Sequence, residues 1–420
     1  MSSFPVCEVL LWGQRVGALA DQPSGLVTFE FAPEFVATGL NISPLRLPLS
    51  RGRVFTNSED PRAFDGLPGV FADSLPDLYG KRVIERYFAQ RDPGRTRFPS
   101  AVEHLLYIGN RGLGALTYAP AERVGPLAAG PLEVSYLVEQ AKRVMTGDLS
   151  IDIAGIMHSH ATAGGQRPKA VICWDQASNT IVQGLPPFRA GFEPWIIKFD
   201  GADGVPREFG RIERAYALMG AAAGLEVPTT AMIEEGGRAH FLSKRFDVLP
   251  NGERLHMHSL GGLLHVDYNK PRLIDYTDVL SAVQAITRSH AEVVRMYRQM
   301  VFNVIARNQD DHVKNFAFLM DRRGAWRVAP AYDLTYANGA QWTSQHQMTV
   351  AGVAINPSDA DMLKVARDHA ISDAAAIIEE VREAVSRWPE FADAVGLSAQ
   401  WTQEIGSAHR LAEDARHQPR

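Results

Sequence analysis

Asn308-Gln309-Asp310-Asp311-His312-Val313-Lys314-Asn315 is the stretch on which the reading of this fold turns. Upstream, Asp278–Ser289 and Glu292–Arg307 carry apolar residues at helical spacing. Downstream, Phe316–Met320, the turn Asp321–Ala325 and Trp326–Ala329 read as a hairpin that delivers Ala331-Tyr332-Asp333. The chain beyond, Asp373–Arg387 and Ser398–Ala415, reads as helical again. The chain before it is strand-rich. Val6–Trp12 and Arg15–Leu19 suggest a hairpin through Gly13-Gln14, and Leu26–Phe31 a further strand. Lys169–Trp174, Pro194–Phe199, Thr229–Glu234 and His240–Phe246 read as strands, while Asp77–Ala89, Glu133–Thr146 and Arg207–Gly224 read as helices. Strands followed by helices imply an α+β chain with two lobes. The Ala-, Pro- and Gly-rich stretch Ala119–Pro131 reads as a linker. The expected organisation is an N-terminal subdomain over 1–125, a strand-rich lobe over 126–250 and a helical lobe over 251–420.

The eight residues also carry a chemical pattern. Phosphoryl transfer needs a carboxylate near the attacking hydroxyl and hard oxygen ligands for Mg2+. In protein kinases four residues separate the base Asp from a metal-binding Asn, and Asp310 and Asn315 have that separation. A second metal-binding Asp lies past a hairpin in kinases, which is where Asp333 stands. Asp310 is therefore the candidate base, and Asn315 and Asp333 are candidate metal ligands. A polar cluster of this kind can also be a plain helix-ending turn, and the placement of Asp333 favours chemistry. His312 has no second ligand at helical spacing, so it reads as structural or phosphate-contacting. Lys314 reads equally as a phosphate contact or a solvated loop residue. Tyr332 joins the nucleotide-site candidates beside Asp333.

Three upstream features bear on the same chemistry. Thr162-Ala163-Gly164-Gly165-Gln166-Arg167-Pro168-Lys169 is Gly-rich and opens a strand. Glycines let backbone amides approach phosphates, although the lysine comes too early and a strand follows, unlike a Walker loop. Lys198 ends the apolar run Trp195-Ile196-Ile197, and Glu213 on the following helix is its natural partner, with Glu208 the alternative. A strand-end lysine is commonly just solvated. Only 8 of the 43 basic residues here are lysine, which makes a lysine in this place more informative. Ser243-Lys244-Arg245-Phe246-Asp247 sits where the strand-rich part meets the helix-rich part. Such a strand offers backbone groups to an adenine, an aromatic face and an acid for a ribose.

Composition bounds the rest. The 420 residues exceed one small core, hydrophobic and charged contents of 45% and 22% are those of a globular chain, and the net charge of −5 excludes a uniformly basic binder. Cys7 and Cys173 lie far apart in apolar runs and read as buried, reduced thiols. No apolar run reaches 18 residues and no signal-peptide pattern opens the chain, so a cytoplasmic protein without membrane association is expected.

In this order, the motifs resemble the HipA family, serine/threonine-kinase toxins of bacterial toxin–antitoxin pairs. The resemblance runs from about residue 5 to 390 and rests on Gly164–Lys169, Trp195–Phe199, Arg245-Phe246-Asp247, Asn308–Phe318, Pro330–Leu334 and the run Phe71-Ala72-Asp73-Ser74-Leu75-Pro76-Asp77. It implies a two-lobed fold like that of phosphatidylinositol kinases, with ATP and Mg2+ as cofactors. It implies that Asp310 is the base, that Asn315 and Asp333 hold Mg2+, that Lys198 and the Gly164–Lys169 loop contact the phosphates, and that residues 244–247 line the adenine and ribose site. The family's regulatory autophosphorylation falls on a serine of the Gly-rich loop. Here Thr162 stands at that position with Ser159 nearby, and Lys244 stands where a glutamate is common. The resemblance further implies a small helix-turn-helix antitoxin (HipB-like), operator DNA bound through the complex, with Lys364 and Arg367 as candidate contacts, and a protein substrate. Aminoacyl-tRNA synthetases are among the family's substrates. A kinase-fold corepressor with little turnover and a small-molecule phosphotransferase are the alternatives.

Overall fold

The structure, a computed structural model, describes residues 5–57, 63–76, 78–122, 131–146, 167–184, 191–201 and 207–412. It is an α+β chain in which strand-rich layers precede a helical layer, as the sequence pattern implies.

The first sheet is antiparallel, in the order β4-β3-β2-β1-β5: β1 Val6–Leu11, β2 Gln14–Asp21, β3 Val27–Phe31, β4 Val54–Thr56 and β5 Leu116–Ala119. Alternation in β1 turns Cys7, Val9 and Leu11 inward. The hairpin turn is Trp12-Gly13 rather than Gly13-Gln14. Both residues have positive φ, 52° and 83°, the geometry a two-residue hairpin turn needs. Helices Leu78–Arg91 and Ala101–Ile108 cover this region, the second opened by a Ser100–Glu103 capping box.

The second sheet, also antiparallel, runs β7-β6-β8-β10-β9: β6 Lys169–Asp175, β7 Thr180–Gln183, β8 Glu193–Lys198, β9 Thr230–Glu235 and β10 Arg238–Lys244. The helix Phe209–Ala222 packs on it through Gly210, where a Cβ would collide with the Ala239 carbonyl. One hydrophobic core runs from the first sheet through the helix Val134–Thr146 into Ile172, Trp195 and Ile197 of the second. The expected boundary near residue 125 lies outside the described residues.

The third sheet, β11 His256–Ser259, β12 Ala317–Met320 and β13 Trp326–Val328, differs from the expected two-stranded hairpin. β11 reads His-Met-His-Ser, too polar to suggest a strand. Both imidazoles are nevertheless buried, because His256 Nε2 donates to the Ile42 carbonyl at 2.9 Å and His258 lies between Asp73 and Ser43. A second core gathers Tyr216, Tyr276, Tyr297, Phe302 and Trp388 from helices Phe209–Ala222, Tyr276–Thr287, His290–Ile305 and the C-terminal helices. The expected last helix, Ser398–Ala415, is Ala399–Ala408. The chain turns extended at His409, whose ring packs against Tyr216 and Trp388, and Arg410 N donates to the Ile305 carbonyl. Both cysteines are buried and unpaired, and burial pushes the Cys7 thiol up to about 12 and the Cys173 thiol up to about 11. Among the described residues no helix is long and apolar enough to cross a membrane.

Candidate active site

The helix His290–Ile305 hands the chain to an extended stretch through Arg307, which holds φ at 57°. A short 3₁₀ turn, Val313–Asn315, then leads into β12. Asp311 pins this loop to the core. Its Oδ2 accepts Tyr276 Oη and His346 Nδ1, both at 2.9 Å, and its Oδ1 accepts Gln347 N at 2.7 Å. Asp310, one residue earlier, turns the other way and keeps 37% of its side chain in solvent. Asn315 Nδ2 donates to the Asp310 carbonyl at 2.9 Å, so its amide oxygen is the end left for a cation.

A cleft opens between the second sheet and the helical lobe. Lys169, Lys198, Glu213, Lys314, Asn315 and Asp333 lie on its wall. Lys169 and Lys198 face each other across β6 and β8 in register. Lys198 Nζ donates to both Glu213 and Asp333. Burial tends to neutralise Lys198, but Asp333 and Glu213 outweigh it and hold the ammonium above its ordinary range. Burial likewise tends to raise Asp333, but Lys198 and Lys169 outweigh it and hold the carboxyl well below the usual carboxylate range. Glu213 is the most enclosed of the three, and burial raises it. Asp333 holds φ at 57°, a left-handed conformation that Asp tolerates better than most residues.

Ile196, Ala217, Val227 and Leu334 supply an apolar wall in the same cleft. Phe246 leans on Tyr332 with ring centroids 5.7 Å apart, and Tyr332 Oη donates to the Lys314 carbonyl at 2.7 Å. This slot is apolar at one end and cationic at the other, a polarity suited to a heteroaromatic ring that carries anionic phosphates.

Other expected residues also make contacts of their own. Arg245 Nη2 and Nε donate to both oxygens of Asp247 at 2.6 and 3.0 Å, and Asp247 Oδ2 also accepts Gly114 N at 2.7 Å. Lys244, Arg245, Phe246 and Asp247 line the cleft, and Asp247 also clamps the N-terminal domain onto the segment that joins the lobes. Lys244 pairs with Glu193. Arg167 stands off the cleft wall, its guanidinium 4.2 Å over the Phe209 ring and 3.8 Å from Glu213. His312 packs against Tyr268 at 5.5 Å, and Lys314 Nζ lies 5.1 Å over that same ring. Ala163, Gly164, Gly165, Gln166, Thr162 and Ser159 lie outside the described residues. Lys364 and Arg367 are exposed on the helix Asp359–Asp368.

Three residues of the site were not singled out by spacing. Asp311 and Trp342 are two. The third is Asp73, a residue of the first domain on the cleft wall, inside the Phe71–Asp77 run marked by resemblance. It accepts His258 Nδ1, Ser259 N and Ser259 Oγ at 2.6, 2.7 and 2.6 Å. Burial works against its charge, but the His258 hydrogen bond and nearby cations hold its carboxyl low.

The donor set fits Mg2+ as kinase-like sites hold it. Asn315 and an ionised Asp333 are two hard oxygen ligands on one wall, the number that suffices when water and phosphate complete the shell. No cluster of three or more His, Cys, Asp or Glu suited to a metal occurs among the described residues, so a closed all-protein site is not what this cleft offers.

Residues 161–388 match the HipA-like C-terminal domain, and residues 7–119 match the HipA N-terminal domain. The chain belongs to the HipA family. A Sinorhizobium fredii protein named "Putative kinase Y4dM" is 25% identical over 356 residues, 80% of this chain and 78% of that protein. A second from the same organism, "Putative kinase Y4mE", is 25% identical over 246 residues, 54% of this chain and 55% of that one. Among solved structures, the Shewanella oneidensis toxin HipA, in a complex of HipA, HipB and operator DNA, superimposes with a TM-score of 0.67 at 14% identity, covering 96% of this chain and 95% of that one. At that identity the match shows the HipA fold.

Proposed function

We propose that this HipA-family chain is an ATP- and Mg2+-dependent serine/threonine protein kinase that phosphorylates a cellular protein and itself. The observation that carries the reading is the placement of Lys198, Glu213, Asn315 and Asp333 on one cleft wall, with Lys198 bonded to both acids. A kinase needs a lysine held by a helix glutamate and an Asp aimed at the same phosphates.

In this reading Glu213 and Asp333 keep Lys198 charged and oriented, and Lys198 and Lys169 receive the phosphates. The apolar slot between Ile196 and Leu334 takes the adenine. Asn315 and Asp333 hold Mg2+, which when bound draws charge from the phosphate oxygens. Asp310 accepts the proton of the acceptor hydroxyl as its oxygen bonds the γ-phosphorus. The bond from that phosphorus to the β–γ bridging oxygen breaks, and ADP leaves. Thr162 or Ser159 is the proposed autophosphorylation site. A small helix-turn-helix antitoxin, operator DNA bound through that complex, and an aminoacyl-tRNA synthetase as substrate complete the proposal, set in the cytoplasm. The HipA–HipB–DNA assembly of the Shewanella protein supports the partner part.

The test is transfer of label from ATP in the presence of Mg2+, in lysate and to the protein itself, by wild type and Asp310→Ala. The variant should lose roughly 10²–10⁴-fold. Equal labelling by the two proteins sinks the reading, and phosphoproteomics on the same pair identifies the substrate.

A further inference from the structure

The segment after Asp333 is rooted at both ends on the catalytic loop. Ala337 N donates to the Arg307 carbonyl at 3.1 Å, and Gln309 N donates to the Ala337 carbonyl at 3.0 Å. At the far end, Gln347 N is held by Asp311, and its side-chain amide donates to the Trp342 carbonyl at 2.5 Å. Between these roots, residues 338–342 stand exposed. The turn is closed on itself by Gly339 N, which donates to the Thr343 carbonyl at 3.1 Å and to its Oγ1 at 2.9 Å. The turn is thus a closed unit set between the two roots.

Trp342 sits at the edge of this turn with 40% of its surface in solvent. A large ring left that open forfeits much of the burial that usually fixes an indole. Its N–H nevertheless has a defined partner, Asp310 Oδ1 at 2.8 Å. That oxygen belongs to the one carboxylate of the loop that faces away from the core. Asp311, its neighbour in sequence, is buried in a separate set of hydrogen bonds. Neither Trp342 nor Asp310 is among the residues lining the nucleotide cleft, so the link between Trp342 and the acceptor is its bond to the proposed base.

We propose that Trp342 gates the acceptor side of the site: its indole N–H occupies Oδ1 of Asp310, an incoming hydroxyl competes with it, and the displaced ring packs beside the acceptor. This rests on the kinase reading above. An ionised carboxylate only accepts hydrogen bonds, and a donor seated on Oδ1 competes with the acceptor hydroxyl for that oxygen. The contact therefore costs affinity for the acceptor and leaves nucleotide binding alone. Water, the smallest acceptor, meets the same competition.

The experiment uses the full chain as wild type, Trp342→Phe, Trp342→Ala and Asp310→Asn. Two rates are measured: Mg-ATP hydrolysis without added protein, and phosphate transfer to dephosphorylated casein over a range of casein concentrations. Phe keeps the ring and removes the donor. It should raise hydrolysis about five-fold, equivalent to about 1 kcal/mol, and lower KM for casein by a similar factor with KM for ATP unchanged. Ala should raise hydrolysis as Phe does and have a higher KM for casein than Phe, because the ring is gone. Hydrolysis by Trp342→Phe at or below the wild-type rate overturns the gate, as does a KM for ATP that moves with it. If Asp310→Asn turns over ATP as fast as wild type, the kinase reading itself fails. If Asp310→Asn is inactive and Trp342→Phe equals wild type, only the gate fails.

Discussion

Lys198, at the end of β8, donates a hydrogen bond to Asp333, 135 positions later in the chain, across the cleft between the two lobes. The same ammonium is bonded to Glu213, so one cation links two carboxylates.

Lys198→Met leaves Asp333 and Glu213 in a largely buried site without the cation that bonds both, with Lys169 and Arg167 still nearby. Breaking a buried pair costs about 3–5 kcal/mol. A lower midpoint in urea is expected, together with loss of label transfer. Adding Glu213→Leu removes one of the stranded acids and should restore part of the stability while leaving the protein inactive. A double variant no more stable than Lys198→Met would show that Glu213 is not held by this lysine.

Asp311 touches no reacting group in the proposed site, yet it accepts hydrogen bonds from Tyr276, His346 and Gln347. Asp311→Ala should lower kcat about 100-fold, the scale expected from a small misplacement of a catalytic loop, with KM for ATP little changed. Tyr276→Phe removes one of these three donors and should show a fraction of the effect. Equal KM and kcat effects in Asp311→Ala would point instead to a distorted nucleotide cleft.

Asp247→Ala strands the buried Arg245 guanidinium and frees Gly114 N from its acceptor. A loss of about 3–5 kcal/mol in urea unfolding is expected. The same clamp joins the first domain to the strand between the lobes, so protease cleavage between the domains should accelerate. Unchanged cleavage alongside the loss of stability would argue that the first domain is held by its other contacts, such as Trp12 Nε1 to the Arg254 carbonyl.

Acid should weaken the fold from pH 6.5 downward. Burial holds His104, His240 and His409 down at about 4 and His256 at about 3, so each is neutral when folded. The unfolded chain takes up their protons first, near pH 6.5. Their stability contribution is therefore complete above 6.5 and declines as pH falls toward 4, by roughly 3 kcal/mol for a group lowered from 6.5 to about 4. Asp73, Asp247 and Asp333, whose carboxyls are held low, add loss in the same direction at still lower pH. Thermal scans should give a flat Tm from pH 8 to 7 and a steep fall from 6 to 4. His104→Leu replaces a ring whose Nε2 has no hydrogen-bond partner among the described residues, and it should flatten that fall. A slope unchanged by this substitution would remove His104 from the account.

Much of the site is written locally. Asp310 and Asn315 share one loop, so their spacing is legible without the fold, and Asp333 follows a short hairpin whose alternation is also local. Lys198 and Glu213 lie on adjacent elements, and their pairing was foreseeable from a strand followed by a helix. The strands expected at 26–31, 169–174, 194–199, 229–234 and 240–246 and the helices expected at 207–224, 278–289, 292–307 and 373–387 lie within a few residues of their limits, because apolar periodicity needs no distant partner, whereas the short strands Val54–Thr56, Leu116–Ala119 and Thr180–Gln183 were not foreseen.

Other features depend on which distant groups meet. Nothing in Asp310-Asp311 says which acid faces solvent; the meeting with Tyr276, His346 and Gln347 decides that. β11 is invisible in its polar residues, because His256 and His258 become strand residues only when Ile42, Ser43 and Asp73 are brought against them. Asp247 lines the cleft, but its bonds to Arg245 and Gly114 could not be read from the sequence. Trp342 carries no local signal, and only its N–H on Asp310 marks it. The sequence by itself determined the order of elements and the local spacing of the chemical groups, since backbone periodicity and turn chemistry act over a few residues. Only the tertiary structure decided which carboxylates are free to act, because a buried polar group must find a partner and that partner comes from anywhere in the chain.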